Sequence, residues 1–424
     1  MLTRRFMRIF ILAAALLAAS VAHAGVVYTV VDDTYTSGSL GRVIVSPSGI
    51  PGPAAPRIVT NLGGDHSLHA FRDGAGDLRV LLSQYTYGQP DTVWIYDAKG
   101  GYRTPLKEAK WSGLVNCRGA ASLGDALYVT GYDEAKVSGF NIGGNYAAAG
   151  SFTYNGTAGY NYHGQGIVRA GDHVFALFNE EKGTYPNFEY NGGRLVKLTA
   201  DLQEAGRATV GKNPFSVKSH AGMIYVVSTG GAQNGGDFNR DSVIQRVNPN
   251  TMVAETLLRA GDQAATSVLD DTLEDSEWLY DFRDIAFAPN GDVYILAGAY
   301  SEDWSRFNAK IFKTTLQGLA DGSIGTEYRD VSGPGFVWSI EYDAVDGILW
   351  CAAGNRLRAF DGTGSWEFDP EDLGGNFYSF TVVDAPANPT PGGGGGGGCN
   401  SAGFPAFLLT GLLPILGKAS GRRR

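Results

Sequence analysis

Cysteine is scarce: the 424 residues hold three, Cys117, Cys351 and Cys399. Cys117 and Cys351 sit far apart in apolar, strand-like runs and read as two small buried hydrophobes, not as a disulfide framework. Histidine is also sparse, six in all, a thin supply for a metal cluster or a proton relay. The chain has no G-x-S-x-G elbow, no H-E-x-x-H and no glycine-rich phosphate loop opening a helix, so the usual marks of serine hydrolases, zinc proteases and nucleotide enzymes are missing. No apolar run reaches the ~20 residues that a helix needs to span a bilayer. Basic charge is short where it would matter. Of 34 Lys and Arg, seven lie in the first 24 and last 26 residues, which leaves 27 against 43 acidic groups and a net charge of −16 over residues 25–398. Nucleic acid and anionic lipid are repelled by such a body, so no nucleic-acid partner is expected.

What is abundant is glycine, 60 residues, together with 21 Tyr and 21 Phe. Glycine stands at roughly twice its average use of ~7%. This is the composition of many turns joining aromatic strands, an all-β chain. The two ends have a different character. Arg4, Arg5 and Arg8 precede the apolar run Ile9–Ala19, and Ala22-His23-Ala24 offers a small-x-small cleavage site. That layout predicts a secretory signal peptide over residues 1–24, cut after Ala24. At the other end, a proline-rich spacer begins at Pro386, and seven glycines, Gly392 to Gly398, complete a linker over 386–398. Cys399-Asn400 follows, then an apolar segment broken by Pro405 and Pro414, then Lys418 and Arg422–Arg424. Terminal basic charge holds such an end on the cytoplasmic side.

This tail, 399–424 with its linker, resembles the tripartite C-terminal sorting signals of Gram-negative bacteria. It looks most like the Synergistes type, whose glycine run and Cys-Asn match Gly392–Asn400. The resemblance implies processing near Cys399, partners in the export and processing machinery, passage through the membrane by the tail, and retention at the cell surface or outer envelope. An ordinary C-terminal membrane anchor is the alternative.

The body, 25–385, repeats. Apolar and aromatic strands recur at Val26–Val30, Asp77–Leu82, Asp125–Val129, Asp172–Leu177, Met223–Val227, Asp292–Leu296 and Ile348–Cys351, most of them opened by Gly or Gly-Asp. Aligned on residues 28, 79, 128, 175, 225, 294 and 350, the spacings are 51, 49, 47, 50, 69 and 56. A period near 50 with short strands is that of propeller blades. Each unit has a strand before and a strand after this one, and a weaker fourth. The first unit lacks its leading strand, while Phe377–Val383 is a strand to spare at the chain's end. The expected fold is a seven-bladed β-propeller closed by that C-terminal strand completing the first blade, which leaves no open edge; the weak fourth strands keep six and eight blades as alternatives. The segment Leu127-Tyr-Val-Thr-Gly131 with Val137–Phe140 resembles the Tyr-Val-Thr-Asn repeats of bacterial surface-layer propellers; the likeness covers one unit, with Gly131 where Asn is expected.

Propellers bind at the channel mouth, on the segments leading into each inner strand and on the loops between second and third strands. The leading segments bring His66, His163, Arg118 and Arg283 toward one another as a candidate acid/base set for a lyase or hydrolase acting on polysaccharide or cell-wall material. The longer loops carry Tyr185, Tyr190, Tyr300 and Trp304. Exposed rings among Gly and Asn suit recognition of an extracellular glycan or protein, and this binding or adhesion module is the primary expectation. The acidic stretch Asp270–Glu277 beside them favours a neutral or cationic ligand. Asp237, Asn239 and Asp241 alternate as in a calcium loop, although Ser242 replaces the usual Gly and Asn248 the usual Glu; calcium or a capped turn are the two readings, and no other cofactor is expected.

Overall fold

The computed structural model describes residues 25–383 apart from 33–36, 47, 64–65, 87–88, 99–101, 103, 185–186, 232–240, 263–280, 301–306, 334–338 and 354. Seven sheets follow one another along the chain. Blade 1 holds β1 (Gly25–Val31), β2 (Gly38–Ile44) and β3 (Ala55–Leu62). Blade 2 is β4 (His66–Arg72), β5 (Leu78–Thr86), β6 (Gln89–Asp97) and β7 (Lys107–Lys110). Blade 3 is β8 (Cys117–Leu123), β9 (Ala126–Gly131), β10 (Lys136–Asn141) and β11 (Ala147–Thr153). Blade 4 has five strands: β12 (Asn161–Ala170), β13 (His173–Thr184), the short β14 (Asn187–Tyr190), β15 (Gly192–Leu198) and β16 (Glu204–Lys212). Blade 5 is β17 (Pro214–His220), β18 (Met223–Ser228), β19 (Val243–Val247) and β20 (Ala254–Arg259). Blade 6 is β21 (Asp281–Phe287), β22 (Asp292–Tyr300), β23 (Phe307–Thr315) and β24 (Thr326–Asp330), with the helix α1 (Leu316–Ala320) between the last two. Blade 7 is β25 (Ile340–Asp343), β26 (Ile348–Ala353), β27 (Arg356–Phe360) and β28 (Ser365–Phe368).

The helix α2 (Pro370–Leu373) then turns the chain into β29 (Asn376–Val383), which pairs antiparallel with β1 and becomes the inner strand of blade 1. A capping box between Asp369 and Asp372 starts α2, and Gly374, at φ 80°, ends it. The first and last strands of the ring thus share one sheet, as expected. The inner strands β29, β4, β8, β12, β17, β21 and β25 neighbour one another around a central channel.

The repeated Gly-Asp marks have a local cause. Gly124, Gly171, Gly222, Gly291 and Gly347 each close the turn between an inner and a second strand, and all have φ between 60° and 90°. None but Gly347 would bring a Cβ within 4 Å of another atom. Backbone conformation, not space, therefore selects glycine there. The aligned positions 28, 128, 175, 225, 294 and 350 are buried aromatics on the second strands. In blade 2 Arg79 takes that place and is held by Asp73, Asp77 and Asp97 at 2.7, 3.3 and 3.1 Å.

Second and third strands are nearly all apolar because each sheet packs on two neighbours. Seven clusters of buried side chains result, one at each blade junction, from Val27, Leu40 and Leu68 between blades 1 and 2 to Tyr28, Trp350 and Phe380 between blades 7 and 1. Cys117 and Cys351 are free and buried in two of these clusters, and burial pushes both thiols up to about 12. Among the described residues no helix is long and apolar enough to cross a membrane.

Candidate functional site

Five inner strands carry a bulge near their start. The register skips one residue in β8 at Arg118, in β12 at Gln165, in β17 at Phe215, in β21 at Arg283 and in β29 at Tyr378. An unpaired residue on a bulge is released from the ladder and its side chain is re-aimed. Here the same position is bulged in blades 1, 3, 4, 5 and 6, toward the end of the channel where the inner strands begin. Arg118, Gln165 and Phe215 line the channel, whose volume is about 420 Å³. Arg283 is buried, paired with Asp281 at 2.7 Å and set over the Phe215 ring at 5.7 Å. Tyr378 meets His66 edge to face, with centroids 5.9 Å apart.

Beside Arg118 a second group forms across blades 3 and 4. The His163 imidazole stacks on Tyr132 at 4.2 Å and 21°, and the Arg118 guanidinium lies 5.1 Å from the same ring. His163 Nε2 is 3.2 Å from Glu181 Oε1. Burial, with Glu181 second, pushes the Tyr132 phenol up to about 12, so it is a protonated hydrogen-bond donor at neutral pH. Burial first and then Glu181 and Tyr132 raise Tyr190, on β14, above the ordinary phenol range. Tyr190 therefore belongs to this group and is half-buried.

The four residues expected to act as one acid/base set are thus divided. Arg118 and His163 share the Tyr132 ring. His66 is buried against Tyr378 and beneath Gly38, and Arg283 is engaged by Asp281 and Phe215 in blades 5 and 6. Among the expected recognition rings, Tyr190 is on the β13–β14 hairpin, a strand extension where the sequence suggested a loop. Tyr300 ends β22 opposite Phe307. Tyr185, Trp304, the acidic stretch 270–277, Asp237 and Asn239 lie outside the described residues, as do Ala24, Cys399 and Asn400. Asp241 pairs with Lys212 at 2.8 Å. Among the described residues no group of three His, Cys, Asp or Glu is placed to hold a metal.

Deeper in the channel are residues that sequence reasoning did not single out. His69, Lys218, Asp284 and Glu341 join Arg118 in the lining. Asp284 Oδ1 accepts from Ser216 Oγ at 2.6 Å and from Ile285 N at 2.9 Å, and Oδ2 accepts from Ile340 N at 3.0 Å. Glu341 Oε2 accepts from Val382 N at 3.0 Å, and Thr381 Oγ1 accepts from Ala70 N at 3.3 Å. These contacts stitch the inner strands of blades 5, 6, 7, 1 and 2 each to the next. The signal that could have found them is the period itself, since a polar residue recurs within the leading strand of successive units.

No family model matches the chain, and no curated protein matches it. Among solved structures it is similar to a putative 6-phosphogluconolactonase from Bacteroides uniformis, 13% identical, with a TM-score of 0.52 over 85% of this chain and 99% of that one. It is also similar to a protein from Lactobacillus plantarum (9% identical, TM-score 0.49, 85% and 100% covered) and to a functionally unknown protein from Desulfotomaculum acetoxidans (11%, 0.48, 86% and 99%). At 13% identity the likeness to the first of these bears on the fold alone.

Proposed function

We propose that this chain is an exported, surface-retained propeller that works as a binding or adhesion module for an extracellular glycan or protein, with its recognition face at the channel mouth. One observation carries the reading: five blades carry a bulge near the start of the inner strand, at Tyr378, Arg118, Gln165, Phe215 and Arg283, and three of these residues, Arg118, Gln165 and Phe215, line the channel. Aromatic and Arg side chains give large contact area at low entropy cost, and rigid strands fix their positions in advance. The Arg118–Tyr132–His163 stack and Tyr190 continue that surface over blades 3 and 4. The signal-like layout up to Ala24 and the Cys399-Asn400 tail support export and surface retention, and the −16 body speaks against nucleic acid. The test is a glycan array together with a panel of purified extracellular proteins, probed with the full chain. Saturable binding to at least one of them is expected, weakened more than tenfold by Phe215→Ala and by Tyr190→Ala, and little changed by His66→Ala. Loss with His66→Ala and silence at the other two would count against the reading.

One observation favours the enzyme alternative. His163, stacked on Tyr132 beside Arg118 with its Nε2 3.2 Å from Glu181 Oε1, has the makings of a general base next to a cation. Release of new reducing ends from a polysaccharide by the parent, abolished by His163→Ala, would establish a lyase or hydrolase instead.

A further inference from the structure

The channel wall has the opposite sign from the body around it. Residues 25–398 carry a net charge of −16, yet the lining includes Arg118, Arg169 and Lys218 against Asp284 and Glu341. Both carboxylates are committed to the wall. Asp284 accepts from two backbone amides and Ser216, and lies 3.7 Å from Lys218 Nζ; Glu341 accepts from the amide of Val382. Arg118 and Arg169 form no ion pair among the described residues. Arg118 rests on the Tyr132 ring and Arg169 Nε donates to the carbonyl of Gly171 at 2.9 Å.

His69 on β4 sits among these cations. Its Nε2 is buried without a hydrogen-bond partner among the described residues. Burial, then the positive charges of Arg118 and Lys218, pull its pKa down to about 4. The imidazole is therefore neutral at neutral pH, able to donate one hydrogen bond, and faces positive potential from two other blades. A buried nitrogen without a partner beside two cations is an unbalanced arrangement unless something negative completes it.

We propose that the channel is a binding site for an oxyanion, the carboxylate or phosphate group of a small ligand, held between Arg118 on blade 3 and Lys218 on blade 5 with His69 Nε2 as a third donor. A volume of about 420 Å³ admits a monosaccharide-sized molecule, and Gln165 and Ser339 in the same wall offer partners for hydroxyl groups. The site is inside the ring and is independent of the mouth surface except through Arg118.

Calorimetric titration of the full chain with D-glucuronate, inorganic phosphate and D-glucose tests this. At least one of the two anions binds saturably at low salt and more weakly at high salt, and glucose does not bind. Binding of glucuronate alone identifies a carboxylate ligand, and of phosphate alone a phosphate ligand. Lys218→Gln weakens the interaction about tenfold. Glu341→Gln is the sharper variant, because the amide oxygen still accepts from Val382 N while one negative charge leaves the wall. It tightens anion binding severalfold, an effect that damage to the fold does not produce. The proposal is overturned if neither anion binds, if glucose binds as well as glucuronate, or if Glu341→Gln fails to tighten the complex.

Discussion

Buried carboxylates hold this ring together one residue at a time. Asp91 is fully buried; its two oxygens accept from Asn116 N and Cys117 N, both at 2.9 Å, and from Ser83 Oγ at 2.6 Å, so blade 2 is tied to the start of blade 3. Glu180 does the same between the end of blade 3 and blade 4. Burial alone would raise its pKa, but hydrogen bonds from Tyr154, Thr157 and Asn191 outweigh it and hold the carboxyl below the usual range. Asp91→Ala would leave two buried amides without acceptors. It should lower stability by about 3 kcal/mol, read from the midpoint of urea unfolding with an unchanged slope. The sequence could not announce this role. Pro90-Asp91-Thr92 looks like turn chemistry, and the amides that Asp91 serves are 25 and 26 residues further on. His69 gives a pH prediction. Its pKa is about 4 in the folded protein and about 6.5 in the unfolded chain. The unfolded state therefore binds the extra proton between those values, and stability falls as pH drops from about 6.5 toward 4. Melting temperatures across that window should fall more steeply for the parent than for His69→Gln. Parallel curves would show that His69 is not held neutral.

At the scale of elements, legibility tracked burial. Second and third strands were readable because both of their faces are covered, which makes near-continuous apolar runs such as Leu78–Leu82 and Tyr225–Val227. Fourth strands were weak in the sequence for the converse reason: β7 reads Lys-Glu-Ala-Lys and β11 is exposed along almost its whole length. The β13–β14 hairpin reads as a loop in the sequence because Lys182-Gly183-Thr184 and Asn187 carry no alternation. The leading segments of the inner strands were recognised as site-bearing, but their bulges were not, because a one-residue register skip leaves no compositional trace. The spare C-terminal strand was legible from counting alone, and its contacts give it weight. Phe377, Phe380 and Val382 fill the junction between blades 7 and 1, and Thr381 and Glu341 tie β29 to both neighbours. Phe380→Ala should cost about 3 kcal/mol or more. Deleting Phe377–Val383 should open blade 1 and lower the melting temperature sharply, as followed by calorimetry. A truncated protein that melts like the parent would refute closure by β29.

For the whole molecule, the global charge and the local wall carry different information. The acidic body bears on which surfaces the protein is expected to avoid, whereas the channel's own residues bear on what it would hold. Composition gave the first and could not give the second, since Arg118, Arg169 and Lys218 are spread over three blades and only the closed ring brings them together. The proposed export and tail processing belong to this scale too. Cys399→Ala should leave unprocessed chain in the membrane fraction, and mass spectrometry of surface-retained parent protein should find a C-terminus near Cys399. An intact Arg424 terminus on that material would contradict processing.

We propose that ligands are recognised at the mouth, on the bulged residues and the blade 3 and 4 surface beside them. Hydrogen exchange by mass spectrometry, with and without a glycan or protein found on the array, tests it most directly. Protection should be concentrated in peptides covering residues 113–119, 130–133, 160–166 and 179–191, with the turns at the far end of the channel, Gly124, Gly171 and Gly222 among them, unchanged. Protection confined to those far turns, or to the outer strands β7, β11 and β20, would contradict the account.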